Sequence, residues 1–197
     1  MPITSPITGV VLAGGLARRL GQQDKGLVRF QGRALVQFAI HALSSVTPHL
    51  LINANRNLEQ YRAFGFPVIA DISPHFDGPL AGIYTALCHT DAEVLLVMPC
   101  DSPLFAARHL HKLLDAYQAH TTDVAVATDG TRLHPVFLAL NTHLKASLCA
   151  YLDSGERKLD RWLAQHQTTV VDFSDEPAIF TNINTWDELA ALEPQHG

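Results

Sequence analysis

Up to residue 121 short apolar runs alternate with helix-periodic stretches, and this alternation constrains the fold more than any other feature of the chain. Ile7–Leu12, His49–Asn53, Pro67–Ala70 and Glu93–Met98 are rich in Val, Ile and Leu, the composition of buried parallel strands. Ala34–Val46, Leu80–Cys88 and Leu104–His120 place apolar residues at three- and four-residue steps, which predicts helices. A βαβαβ order with right-handed crossovers gives a mostly parallel central sheet with helices on both faces, and such α/β sheets bind ligands beyond the carboxyl ends of their strands. Later the pattern changes. Thr122–Thr128, an Asp129-Gly130 turn and Leu133–Leu140 read as a hairpin, because Asp-Gly tolerates the positive φ of a tight turn. Helices at Leu144–Leu152 and Leu159–His166, a strand at Thr168–Phe173 and a closing helix at Thr185–Leu192 are expected to follow. Asn184 or Thr185 precedes acidic residues there and predicts the cap of that last helix.

The 197 residues are 47% hydrophobic and 17% charged, enough for a core that needs no staples. A net charge of −5 argues against a nucleic-acid or anionic-membrane surface. The charge is uneven: Arg18, Arg19, Lys25, Arg29, Arg33 and Arg56 face a single acid, Asp24, up to residue 58. A basic segment inside an acidic chain points to a local site for a small polyanion, or else to a solvated positive loop. Cys88, Cys100 and Cys149 form no CxxC pair and are odd in number, which predicts a reducing compartment. The opening residues lack a basic region followed by a long apolar one, and no run of about 18 uncharged apolar residues occurs. The expectation is a cytoplasmic protein.

The basic residues cluster in LAGGLARRLGQQDKG, residues 12–26, directly after the first predicted strand. This is neither G-x-x-x-x-G-K-[ST] nor G-x-G-x-x-G. It is a strand, a Gly14-Gly15 bend and cations four to ten residues later. Glycines let backbone N–H groups approach phosphates, and Arg19 and Lys25 can add charge-assisted contacts. MPCDSP, residues 98–103, puts Asp101 at the carboxyl end of another strand, where it either serves a metal–phosphate complex or caps the next helix. In DGPLAG, residues 77–82, Gly78, Pro79 and Gly82 open a helix and either admit a nucleoside or form an ordinary turn with proline at the first helical position.

Together LAGG-x₃-R-x-G-x₃-K, NANR (53–56), Asp71, GPLAG, PCDSP and the late NINT (182–185) resemble the molybdenum cofactor guanylyltransferase family. The resemblance runs from Val11 to about Leu189 and keeps the order of the motifs. It implies a single Rossmann-like nucleotidyltransferase domain over residues 1–197, with a nucleotide-binding part at 1–121 and an acceptor, pterin-side part at 122–197. It implies transfer of GMP from GTP to molybdenum-molybdopterin, releasing pyrophosphate, with Mg2+. The pterin's phosphate would attack the α-phosphate in line, and catalysis would be positioning and charge neutralisation, with no protein nucleophile.

Carried over by motif, Leu12, Ala13, Gly14 and Gly15 contact the nucleotide through backbone, and Arg19 and Lys25 hold the phosphates. Asn53 and Asp71 take the nucleoside end, Gly78 and Gly82 admit it, and Asp101 meets both nucleotide and metal. Asn182 and Asn184 match a second polar cluster near the metal or the pterin phosphate. Ala17 departs from the Ser or Gly frequent in the family, so a hydroxyl contact is not supplied there. Transient contacts with cofactor-biosynthesis proteins and molybdoenzyme acceptors also follow from the resemblance. A cytidylyltransferase or another nucleotidyltransferase on the same scaffold is the neighbouring alternative, and a non-catalytic nucleotide sensor is the alternative of another class.

Other conspicuous residues have plain readings. Cys100 is expected to pack beneath the site; His109 and His111, whose spacing shares no helix face and so does not suit one metal ion, read as surface residues. His134-Pro135 matches a family feature near the pterin side or is an edge-strand proline. Arg157, Lys158 and Arg161 read as a solvated face of a late helix or a second contact for an anionic acceptor, while Leu159, Trp162 and Leu163 read as core.

Overall fold

The apolar residues of β1 (Ile7–Leu12) divide between two layers: Ile7 and Val11 pack to one side of the sheet and Val10 to the other. This is the two-residue period of a strand buried on both faces. The computed structural model describes residues 6–13, 16–17, 23–72, 78–183, 185, 188 and 190. After β1 come β2 (Leu16–Ala17), β3 (Gln23–Asp24), a 3-10 turn at Lys25–Leu27, β4 (Arg29–Phe30), β5 (Arg33–Ala34) and α1 (Leu35–Ser44). Then follow β6 (Leu50–Asn53), α2 (Leu58–Arg62), β7 (Val68–Ile69), α3 (Pro79–Cys88), β8 (Val94–Pro99) and α4 (Ala107–Ala119). The remainder holds β9 (Val124–Thr128), β10 (Leu133–Asn141), α5 (Lys145–Asp153), α6 (Leu159–Leu163), β11 (Thr168–Asp172) and a 3-10 turn at Pro177–Phe180.

The seven-stranded sheet has the order β11-β9-β10-β8-β1-β6-β7, and β10 alone runs against the rest. On one face Val94, Leu96 and Met98 of β8 join Val36, Ala39 and Leu43 of α1 and Leu110, Leu113 and Leu114 of α4. On the other, Leu95 and Val97 join Leu80, Ile83 and Leu87 of α3, Leu148 of α5, and Leu159, Trp162 and Leu163 of α6. The expected mostly parallel sheet with helices on both faces is therefore present. The chain leaves β1 for β6 on one side and reaches β8 on the other, so the switch point lies at the carboxyl ends of β1 and β8.

Three local expectations need correction. The helix expected from Leu104 starts at Ala107, because residues 102–105 form a turn in which Phe105 N–H bonds Ser102 C=O at 3.2 Å. Its first turn is closed by His109, whose Nδ1 accepts from Ala106 N–H at 2.9 Å, and this draws His109 into the interior at 2% exposure instead of leaving it on the surface. Pro135 is not on an edge strand: β10 has a partner on each side, and the proline falls between His134 and Leu138, where the register with β9 shifts and a missing N–H is tolerated. Arg157 precedes α6 rather than lying in it, and its Nη1 donates to Leu152 C=O at 2.7 Å and Glu156 C=O at 2.8 Å. Very short elements escaped the periodicity altogether, namely α2 and the two-residue ladders β2–β3 and β4–β5.

Burial of His109, with Arg108 beside it, holds its imidazole below the ordinary histidine value, and Glu176 only partly opposes this. The unfolded chain therefore takes up a proton first as pH falls below about 6.5. Stability is full above that value and declines toward pH 5, by at most about 1.4 kcal/mol per pH unit for each such histidine. His166, lowered by burial as well, adds to the same slope. Melting temperatures measured from pH 7.5 to 5 should decline in the wild type and decline less steeply in His109→Gln.

Candidate active site

Register brings Pro99, Leu12, Asn53 and Ile69 into one row across β8, β1, β6 and β7. Strands lie about 4.8 Å apart, so the row spans roughly 15 Å, and the residues after it form the carboxyl rim of the sheet. Leu12 C=O accepts from Cys100 N–H at 3.1 Å, and Ala13 N–H donates to Asn53 C=O at 2.8 Å. Ala13 therefore has no amide left for a phosphate.

Lys25 and Asp101 meet at this rim. Lys25 sits on the 3-10 turn behind β3, and its Nζ pairs with Asp101 Oδ2. Both side chains are largely buried, at 13% and 11% exposure. Asp101 does not cap α4, whose N-cap is Ala106. Its Oδ1 is buried and, among the described residues, has no hydrogen-bond partner. A buried carboxylate oxygen without a donor is costly unless a ligand supplies positive charge.

The other end of the rim is held by amides. Asp71 Oδ1 accepts from Asn53 Nδ2 at 2.8 Å and its Oδ2 from Asn55 Nδ2 at 2.7 Å, while Asp71 N–H returns a bond to Asn55 Oδ1 at 2.7 Å. Asn53 itself is buried and also donates to Ile69 C=O at 3.3 Å. Asn53 therefore orients Asp71, which is the more exposed of the two. Gly78, with φ 71° and ψ −157°, takes a backbone conformation open to glycine and begins α3, with Pro79 in its first turn. Gly82 has a different reason: a Cβ there would stand 2.3 Å from Asn53 Oδ1 and 2.9 Å from Leu12 Cδ2.

Gly82→Ala would ordinarily gain about 1 kcal/mol from helix propensity. Here Asn53 is tied down by its bonds and cannot yield, so overpacking should instead cost about 1–3 kcal/mol. Displacement of Asn53 should also turn Asp71. A fall in melting temperature is the expected outcome, read by calorimetry.

Asn182 and Ile183 reach this rim from late in the chain. Ile183 N–H donates to Asp101 C=O at 3.0 Å, and Ser102 Oγ donates to Asn182 Oδ1 at 2.6 Å. Ile183 is buried beside Val28, Phe30 and Leu35, which fixes this contact by packing. Asn182 thus joins Asp101 although 81 positions separate them. Gly14, Gly15, Arg19 and Asn184, named from the sequence, lie outside the described residues. Thr185 forms the expected cap: Glu188 N–H donates to Thr185 Oγ1 at 3.1 Å, and Thr185 N–H to Glu188 Oε2 at 3.0 Å.

The chain is similar to known proteins over most of its length. The profile of the MobA-like NTP transferase domain matches residues 9–170. A molybdenum cofactor guanylyltransferase of Shewanella halifaxensis is 46% identical over 190 residues, which are 96% of this chain and 95% of that protein. The chain belongs to the molybdenum cofactor guanylyltransferase family. A second member, from Shewanella sediminis, is 47% identical over 186 residues, 94% of this chain and 95% of its own. The crystal structure of molybdopterin-guanine dinucleotide biosynthesis protein A from Archaeoglobus fulgidus matches with a TM-score of 0.76 at 22% identity, covering 93% of this chain and 95% of that one, a likeness of fold. As a member of the guanylyltransferase family the chain is a nucleotidyltransferase, and the family implies a divalent metal.

The residues present fit such an ion. Asp101 Oδ1 offers a hard, unpartnered oxygen, and no cluster of three or more His, Cys, Asp or Glu occurs among the described residues. A cation bound through one carboxylate and substrate phosphates suits that donor set. For a guanylyltransferase scaffold the remaining conspicuous residues are structural or peripheral. Cys100 is buried, and desolvation followed by Asp101's charge pushes its thiol up, away from nucleophilic thiolate chemistry. Leu159, Trp162 and Leu163 are core. His134 Nε2 bonds Asp129 Oδ2 at 2.8 Å, and its ring stacks on Phe180 at 3.8 Å, just before the Asn182 segment. Asn55, Ser102 and Phe180 were not singled out from the sequence; the positions of Asn55 inside NANR and of Ser102 inside PCDSP were the only hints.

Proposed function

We propose that the protein transfers GMP from GTP to molybdenum-molybdopterin, forming the guanine dinucleotide cofactor and pyrophosphate. The new bond joins a pterin phosphate oxygen to the α-phosphorus of GTP, and the bond from that phosphorus to the bridging oxygen of the β-phosphate breaks. The attacking oxygen is already ionised at neutral pH, so no protein base is required. In this reading Lys25, with Arg19 and the amides of Gly14 and Gly15, binds the triphosphate and offsets charge building on the leaving pyrophosphate. Asp71, oriented by Asn53, takes the nucleoside end, and Gly78 and Gly82 let α3 approach it. Asp101 would hold Mg2+, with Asn182 or Asn184 at its margin. Bound there, Mg2+ neutralises the phosphates and orients them for in-line attack.

The observation that carries this reading is the Lys25–Asp101 pair at the switch point, with Asp101 Oδ1 left unpartnered. Before substrate arrives the two charges neutralise each other; a metal–triphosphate complex would give each a new partner, the phosphates for Lys25 and the ion for Asp101. Residues 122–197 would serve the pterin side, since the Asn182 segment reaches Asp101. Three cysteines outside any disulfide are compatible with cytoplasmic work. No helix among the described residues is long and apolar enough to cross a membrane. Delivery of the pterin and collection of the product would involve transient contacts with biosynthetic proteins and acceptor enzymes.

The test is pyrophosphate release from GTP or CTP with Mg2+, with and without molybdenum-molybdopterin. Release that requires both GTP and the pterin supports the proposal. Release with CTP would make the protein a cytidylyltransferase, and nucleotide binding without release would make it a sensor.

A further inference from the structure

Asp24 is the one acid among the first 58 residues, and it is buried directly beside Lys25. Its Oδ1 accepts from Gly26 N–H at 3.3 Å and from Tyr61 Oη, and its Oδ2 accepts from Asn57 Nδ2 at 3.1 Å. Tyr61 Oη also lies 3.2 Å from Ala13 C=O. One phenol therefore stands between Ala13, where the chain enters the glycine loop, and Asp24, where it leaves. Tyr61 belongs to α2, behind β6, and is fully buried. Burial and the neighbouring Asp24 keep its hydroxyl protonated, so it is a donor. The approach needs Gly26, since a Cβ there would stand 2.4 Å from Tyr61 Oη. Asn57 completes the arrangement from a left-handed conformation, φ 51°.

We propose that Tyr61 is a positioning residue for triphosphate binding: through Asp24 it clamps the turn that carries Lys25 and sets Lys25 against Asp101. It touches no substrate, because it has no exposed surface. The inference rests on the assignment of Lys25 to the phosphates of GTP. Tyr61→Phe keeps the ring that fills the core and removes only the clamp's donor.

Binding of GTP and of guanosine is measured by calorimetry for wild type, Tyr61→Phe, Lys25→Ala and the double variant. Tyr61→Phe should weaken GTP at least tenfold and leave guanosine within twofold, since guanosine has no phosphates for Lys25. Added to Lys25→Ala, it should change GTP affinity less than twofold, because the residue it acts through is gone. Wild-type GTP affinity in Tyr61→Phe, equal weakening of guanosine, or a full tenfold effect in the Lys25→Ala background would each overturn the proposal alone. Unchanged GTP affinity in Lys25→Ala would overturn the assignment of Lys25 and the clamp with it. Should Tyr61→Phe fail to fold, Asn57→Gly replaces it: glycine keeps the left-handed backbone and removes one donor to Asp24. A threefold or larger loss of GTP affinity with unchanged guanosine supports the clamp, and an unchanged GTP affinity overturns it.

Discussion

Asp101→Asn should lower kcat/KM for GTP by at least a thousandfold, about 4 kcal/mol of transition-state stabilisation. The replacement keeps the shape of the side chain and removes its charge, so the carbonyl that stays at Oδ1 is a much poorer ligand for a divalent ion. It also ends the ion pair with Lys25. That pair is largely buried, and its loss should cost about 3 kcal/mol of stability. The separation of the two effects is the point of the experiment. Steady-state pyrophosphate release at several Mg2+ concentrations, beside a thermal melt, reads both. A variant within tenfold of wild-type turnover would remove Asp101 from the chemistry, and one that simply unfolds would make its role structural.

Lys25→Ala should lower kcat/KM for GTP about a hundredfold, roughly 2.7 kcal/mol, and most of the change should fall on KM. An ammonium that binds the triphosphate in the ground state contributes chiefly to affinity, and the leaving-group charge adds a smaller part in the transition state. Lys25→Arg should not restore it. The 3-10 turn sets a compact ammonium against Asp101 Oδ2, and a guanidinium is broader and differently directed. GTP titrations of the three proteins in the pyrophosphate assay decide this. A kcat loss with unchanged KM would assign Lys25 to the departing pyrophosphate alone.

The central strands were legible because burial on both faces writes itself as a continuous apolar run: all of β1 and nearly all of β6 and β8 were read to within a residue. The five-residue α2 carries too little period to be seen, yet it supplies Tyr61. Lys25 stood out as a cation following a glycine bend and Asp101 as a carboxylate at a strand's carboxyl end, while Asp71 came only with the family resemblance. Tyr61 did not stand out, since an aromatic residue in an amphipathic stretch is ordinarily core, and nothing in its position announces the carboxylate it meets. His109 was misread for a related reason: which face of α4 it occupies depended on where the helix starts.

By itself the sequence determined the α/β order, the placement of the glycine loop at a strand's carboxyl end and the family, because these are properties of period and spacing along one chain. The tertiary structure alone decided that Asp101 faces Lys25 with one oxygen unpartnered, that Gly82 is required by Asn53, and that Ile183 seats Asn182 beside Ser102. Each of these depends on packing between residues far apart in the chain, where a difference of one or two ångströms separates contact from clash, and spacing along the chain does not specify that distance.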